Sequence, residues 1–167
     1  MGIFAAILAL SVIVFFLHLY ISPIPKRPLR VVELLLLYQL FFNIGILGFL
    51  SFFGLTFMPE TVAAHNEWPM CPYQQELGNA NLGFAVLGVL SIWLRGHFWT
   101  ATIIGSSIWL FADGIGHIVD ALVNHNFSEG NTGILLYSDL LIPIVSSTLL
   151  FFYLRMRKKG KRGSVRY

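Results

Sequence analysis

Long apolar runs separated by short polar breaks make up most of the chain. They cover residues 3–21, 31–57, 77–94, 99–123 and 134–153. A helix of about 20 apolar residues crosses a hydrocarbon core of about 30 Å, so each run is read as a transmembrane helix. The breaks carry turn chemistry. "SPIPKRP" (22–28) places Pro23, Pro25 and Pro28 between the first two runs, "RGH" (95–97) is a tight turn, and "NHNFSEGNTG" (124–133) is rich in Asn and Gly. The one long link, 58–75, is interrupted by Pro59, Pro69 and Pro72. The pattern predicts an all-α fold: a polytopic membrane protein of five transmembrane helices, the last four forming an antiparallel bundle. Residues 1–154 form a single domain and 155–167 a basic tail. The first run has neither a basic leading segment nor a small-residue cleavage site, so it reads as a retained helix rather than a signal peptide.

Composition agrees. Of 167 residues, 56% are hydrophobic and only 11% charged, against about 25% charged in soluble domains. Too little polar surface exists to cover a water-soluble globule. The single cysteine, Cys71, excludes an internal disulfide and any Cys-rich zinc or iron–sulfur site.

The placement of charge gives an orientation. All eleven Lys and Arg residues fall in three places: Lys26, Arg27 and Arg30; Arg95; and the segment from Arg155 to Arg166. With five crossings these places share one side. The other side carries Glu60, Glu67 and Glu129. The positive-inside rule then puts the C-terminus in the cytoplasm and the N-terminus outside, in a cell membrane. The tail reads as a topology signal that attracts anionic lipid head groups, and not as a nucleic-acid site.

The fourth run contains "ADGIGHIVD", with Asp113, His117 and Asp120. A helix turns about 100° per residue, which puts His117 about 40° and Asp120 about 20° from Asp113. Thr102, Ser106 and Asn124 share that stripe. A charge near the bilayer centre costs about 2.5 kcal/mol or more, so the stripe must face the bundle interior. At matching depth lie Glu76 and Asn79 at the start of the third run and Asp139 near the start of the fifth, with Gln39 and Asn43 nearer the middle of the second. The expectation is one polar pocket, open to the outer face, made by Asp113, His117, Asp139, Glu76, Asp120 and Asn79.

Each residue also has a plainer reading. Glu76 suits the positive end of a helix dipole, Asn43 and Asn79 suit interhelical hydrogen bonding, and Asp120 and Asn124 suit head-group level. Asp113 and His117, mid-helix and one turn apart, fit these readings least. Their residue types would suit a divalent metal (Zn, Mn or Fe, with Asp113, His117 and Asp139 as ligands) or proton transfer. Haem is disfavoured because no second histidine lies at that depth. No activated Ser or Cys constellation supports an enzyme. Trp68 and Tyr73, near Cys71, read as interface anchors.

From Glu33 to Tyr153 the chain resembles the DoxX-like superfamily of small bacterial and archaeal membrane proteins, in its size, its closely spaced helices and the polar residues of "ELGNANLGFAVLG" and "ADGIGHIVD". The extra first helix departs from that four-helix plan. The resemblance implies association with membrane redox complexes and assigns no residue a role. Two functions follow as expectations: a pocket binding a cation, proton or small ligand, or an accessory subunit of a homodimer or larger membrane complex whose polar stripe serves packing alone.

Overall fold

The computed structural model describes residues 2–23, 25 and 27–163, with side chains as far as Lys158. Every element among them is helical. In order they are α1 (Gly2–Ile21), α2 (Pro28–Tyr38), a π-helical segment (Gln39–Ile46), α3 (Leu47–Phe57), α4 (Pro59–Asn66), α5 (Gln74–Leu90), α6 (His97–Val123), α7 (Glu129–Thr132) and α8 (Ile134–Gly163). The chain runs through α2, the π segment and α3 as one continuous rod.

Four helical stretches are long and apolar enough to cross a membrane: Gly2–Ile21, Pro28–Phe57, His97–Val123 and Glu129–Lys158. The third predicted run differs. Its helix begins earlier, at Gln74, and stops at Leu90 after 17 residues, a rise of about 26 Å. Residues 91–93 already form a turn. Two loops also contain helices that apolar periodicity could not signal. α4 starts with Pro59 at its first helical position and ends where Glu67 takes left-handed backbone (φ 54°). α7 is a single turn within the Asn/Gly-rich segment.

Glycines set the closest contact. A Cβ on Gly88 of α5 would lie 2.7 Å from Gly45 Cα and 2.8 Å from the Leu40 carbonyl oxygen. Farther along, Gly48 faces Ala85, and Gly78 faces Thr56 and Leu55. Small residues let these backbones approach in the manner of membrane helix pairs. Gly88→Ala is expected to force the helices apart and cost about 1–3 kcal/mol, the range for overpacking. Thermal unfolding in detergent should show a lowered midpoint. Gly83→Ala should not lower it, because nothing lies within 4 Å of its Cβ position.

The apolar core gathers Leu36, Leu40, Ile44, Leu47, Trp99, Ile103, Ile142 and Tyr153, among others. Trp99 is fully buried; its indole donates to the Ser91 carbonyl (2.8 Å) and its ring meets Tyr153 at 5.4 Å. α1 is peripheral: only Ser11 and Phe15 are buried, and His18 Nδ1 contacts the Tyr38 hydroxyl at 2.8 Å.

The two ends of the bundle differ. At one, Glu33 bonds Arg95 at 2.6 Å and Arg30 at 3.1 Å; this is the arginine end. At the other, α4 packs beside α7, and Gln74 Nε2 donates to the Pro59 carbonyl at 3.3 Å; this is the α4 end. Two backbone irregularities lie between them. One is the π segment. The other is Pro143, inside α8, which has no N–H to bond the carbonyl of Asp139.

Candidate functional site

A cavity of about 500 Å³ lies among the π segment, α3, α5, α6 and α8. Most of its wall is apolar, with Leu47, Leu55, Phe84, Leu110 and Ile142 contributing. The polar groups are few: Asp113 and His117 from α6, Asp139 and Ser138 from α8, Asn43 from the π segment, and Asn66 and Trp68 from the α4 end among them. Both backbone irregularities border it. Asn43 belongs to the π segment, and Asp139 is the residue whose carbonyl Pro143 leaves free. π-Helical turns recur at functional sites because they displace side chains that a regular helix would stack in register.

His117 is the best-held group. It is 7% exposed, on the face of α6 that meets α7 and α8. Asn131 of α7, fully buried, donates from Nδ2 to the carbonyls of His117 (3.1 Å) and Asn126 (2.8 Å). Those two acceptors fix the amide orientation, so Asn131 Oδ1, 2.7 Å from His117 Nδ1, accepts from the ring. His117 Nε2 then faces Asp139 Oδ2 at 3.6 Å. That separation is an ion-pair distance, longer than a hydrogen bond. Trp68 stacks on the imidazole, with ring centroids 5.5 Å apart and planes tilted by 26°.

Behind Trp68 a second polar layer closes the α4 end. Asp120 accepts from Trp68 Nε1 (3.3 Å), Asn126 Nδ2 (2.7 Å) and Asn124 Nδ2 (2.7 Å). Asn126 also donates to the Asn66 carbonyl (2.8 Å), as does the Ser128 hydroxyl (3.2 Å). The 58–75 and 124–133 connections are thereby tied across the end of α6. Gly130 sits against Asn66 and the His65 carbonyl so closely that no side chain fits there.

The predicted site residues divide in two. Asp113, His117 and Asp139 meet at the cavity, and Asn43 joins them, donating to Gln39 Oε1 at 2.6 Å. Asp120 does not line the cavity and is linked to it through Trp68 and, by way of Asn126, through Asn66. Glu76 and Asn79 are exposed on α5 and lie outside it, which corrects the expectation that they share the pocket. The physical reason is that α5 turns Gln74 inward together with Gly78, Ala85 and Gly88, the small residues its close packing needs. At the α4 end the cavity is lined by Thr61, Val62, His65, Asn66 and Trp68. Among the described residues no group of three His, Cys, Asp or Glu side chains is arranged to hold a metal ion, so a metal at Asp113, His117 and Asp139 has no geometric support.

Sequence reasoning missed Asn131, Asn66 and the inward role of Trp68. The density of Asn in "NHNFSEGN", directly after a polar helix stripe, was the available signal.

Fold and site together define an all-helical chain with four membrane-length apolar helices around a largely apolar cavity with an Asp/His end. The chain belongs to a family of unknown function, DUF6790, which matches it over residues 1–159. No curated protein and no solved structure matches it.

Proposed function

We propose that the protein is a five-pass integral membrane protein whose cavity binds a small amphiphilic ligand with a cationic head group. Several contacts support the fifth crossing and an antiparallel arrangement. Along α5, Gly78 meets Thr56, Ala85 meets Gly48, and Gly88 meets Gly45 and Leu40, so partner numbers fall as α5 numbers rise. α5 begins beside Pro59 at the α4 end and is followed by Ser91 beside Trp99 at the arginine end. A 17-residue helix that traverses the packed bundle needs less lipid-matched length than an isolated one. Arg30, Arg95 and Arg157 then share the cytoplasmic side, and the α4 end faces out.

This topology makes Cys71 a reporter. It is the only thiol in the chain and is exposed between α4 and α5. A membrane-impermeant maleimide applied to intact cells should label it, and a reporter fused after Tyr167 should be cytoplasmic. Labelling only after permeabilisation would overturn the orientation.

The carrying observation for the ligand is the mismatch inside the cavity. Its walls are apolar, yet Asp113 and Asp139 lie within electrostatic reach of each other and of His117. Asn43 Oδ1 and Trp109 Nε1, also in the wall, are buried without hydrogen-bond partners. Sites for small molecules combine such apolar walls with a few convergent polar groups. A protonated amine would face the carboxylates and its apolar body the Leu and Phe walls.

The test uses a dansyl-labelled alkylamine and the uncharged dansyl alcohol of equal length, titrated into protein in nanodiscs. Trp68 and Trp109 line the cavity and serve as energy donors. Saturable transfer with clear preference for the amine is expected. Equal binding of the two probes would sink the cationic reading.

A further inference from the structure

We infer that the groove at the arginine end, between the start of α2, the α5–α6 turn and the end of α8, is a site for the phosphate of one anionic phospholipid. This rests on the membrane reading above but on none of the cavity residues. The groove has a volume of about 430 Å³ and is lined by Leu29, Glu33, Arg95, Gly96, Tyr153 and Arg157.

Charge is the first argument. Three guanidiniums, those of Arg30, Arg95 and Arg157, gather around a single carboxylate. Glu33 is already shared between Arg95 at 2.6 Å and Arg30 at 3.1 Å. Arg157 has no ion-pair partner among the described residues, and its Nη1 reaches to 3.4 Å from the Cβ position of Gly96, beside Arg95. Like charges brought together in this way are relieved by an anion.

Preorganisation is the second. Arg95 is held on two sides, by Glu33 and by the face of Trp99, 5.6 Å from its guanidinium carbon. Trp99 is itself anchored to the Ser91 carbonyl and packed on Tyr153. The fork of Arg95 is therefore fixed before any ligand arrives, which suits a tetrahedral oxyanion bound by paired N–H groups. Gly96 has φ +72°, and this left-handed turn carries the chain from α5 into α6 around the groove.

A phosphate could come from a lipid or from solution, and position favours the lipid. Trp93 and Leu94 are exposed immediately before Arg95, and Leu29 forms part of the wall. Apolar surface thus adjoins the phosphate site where acyl chains would run, and an exposed Trp at a helix end is the pattern of a membrane-interface anchor.

The experiment is native mass spectrometry of the full chain released from detergent, with phosphatidylglycerol, phosphatidylcholine or inorganic phosphate added separately. One phosphatidylglycerol per chain should be retained in preference to phosphatidylcholine, and inorganic phosphate should not displace it. Arg157→Gln should weaken that single adduct about tenfold, the scale of a charge-assisted hydrogen bond. Lys158→Gln removes the same charge one residue away, outside the groove, and should leave the adduct intact. Arg157 is exposed and unpaired, so its variant should melt at the wild-type temperature. Equal losses in the two variants would reduce the effect to general basicity and overturn the site. Displacement by inorganic phosphate, or no preference over phosphatidylcholine, would overturn the lipid assignment.

Discussion

Asn131→Leu is expected to destabilise the protein more than any substitution at the cavity surface. The side chain fills a buried position and closes three hydrogen bonds, to the His117 ring, the His117 carbonyl and the Asn126 carbonyl. Leucine occupies a similar volume but leaves the His117 ring N–H and the Asn126 carbonyl without this partner, while the His117 carbonyl, inside α6, keeps its place in the helical ladder. Each buried polar group left unsatisfied costs about 1–3 kcal/mol, so a loss of order 4 kcal/mol follows for the two. That is a large share of a typical domain's stability of about 5–15 kcal/mol. The measurement is thermal unfolding in detergent, followed by tryptophan fluorescence, since Trp68 rests on the ring that Asn131 holds. Asn131→Asp keeps the acceptor for His117 and loses both donors, so it should fall between wild type and leucine. A leucine variant melting within a degree or two of wild type would show that the network is decoration.

The apolar runs, the all-helical class and the stripe on α6 were legible because each is a periodic property of one helix. Asp113 and His117 fall on one face whatever the surroundings, and Asp139 follows from depth. What the sequence does not carry is the direction in which a face points. On α5 two stripes compete. One holds Glu76 and Asn79, whose polarity suggests a pocket. The other holds Gln74, Gly78, Ala85 and Gly88, which looks featureless. The second wins because only glycine lets α5 reach the backbone of Gly45 and Leu40, and backbone contact outranks side-chain chemistry in setting rotation. The π segment defeats the 3.6-residue period directly: its extra residue per turn shifts where Asn43 points relative to Gln39 and Leu47. The α4 end failed for another reason. Trp68 and Asn66 act through contacts between residues about 50 or more positions apart in sequence (Trp68 with His117, Asn66 with Asn126), and Asn131 reaches back 14 positions to His117 across a chain reversal, pairs that helical periodicity does not reveal.

Asp113 and Asp139 are expected to separate function from packing. If the pair serves packing, replacing both by asparagine should loosen the protein, because His117 Nε2 loses its carboxylate partner. If the pair holds a cationic ligand, the empty protein gains nothing from keeping two carboxylates close together against apolar walls. Removing buried charge is then neutral or stabilising. The double variant Asp113→Asn/Asp139→Asn should therefore melt at or above the wild-type temperature. The dansyl alkylamine should behave oppositely. Losing the anionic partner of a desolvated ammonium costs about 2 kcal/mol or more, which weakens binding about 30-fold or more. The uncharged dansyl alcohol, held by the same Leu and Phe walls, should bind as before. These three readouts cannot be reproduced by a general loss of structure, which would lower the melting point and both affinities together. Unchanged amine binding, with the fold intact, would remove the carboxylates from the proposed ligand site.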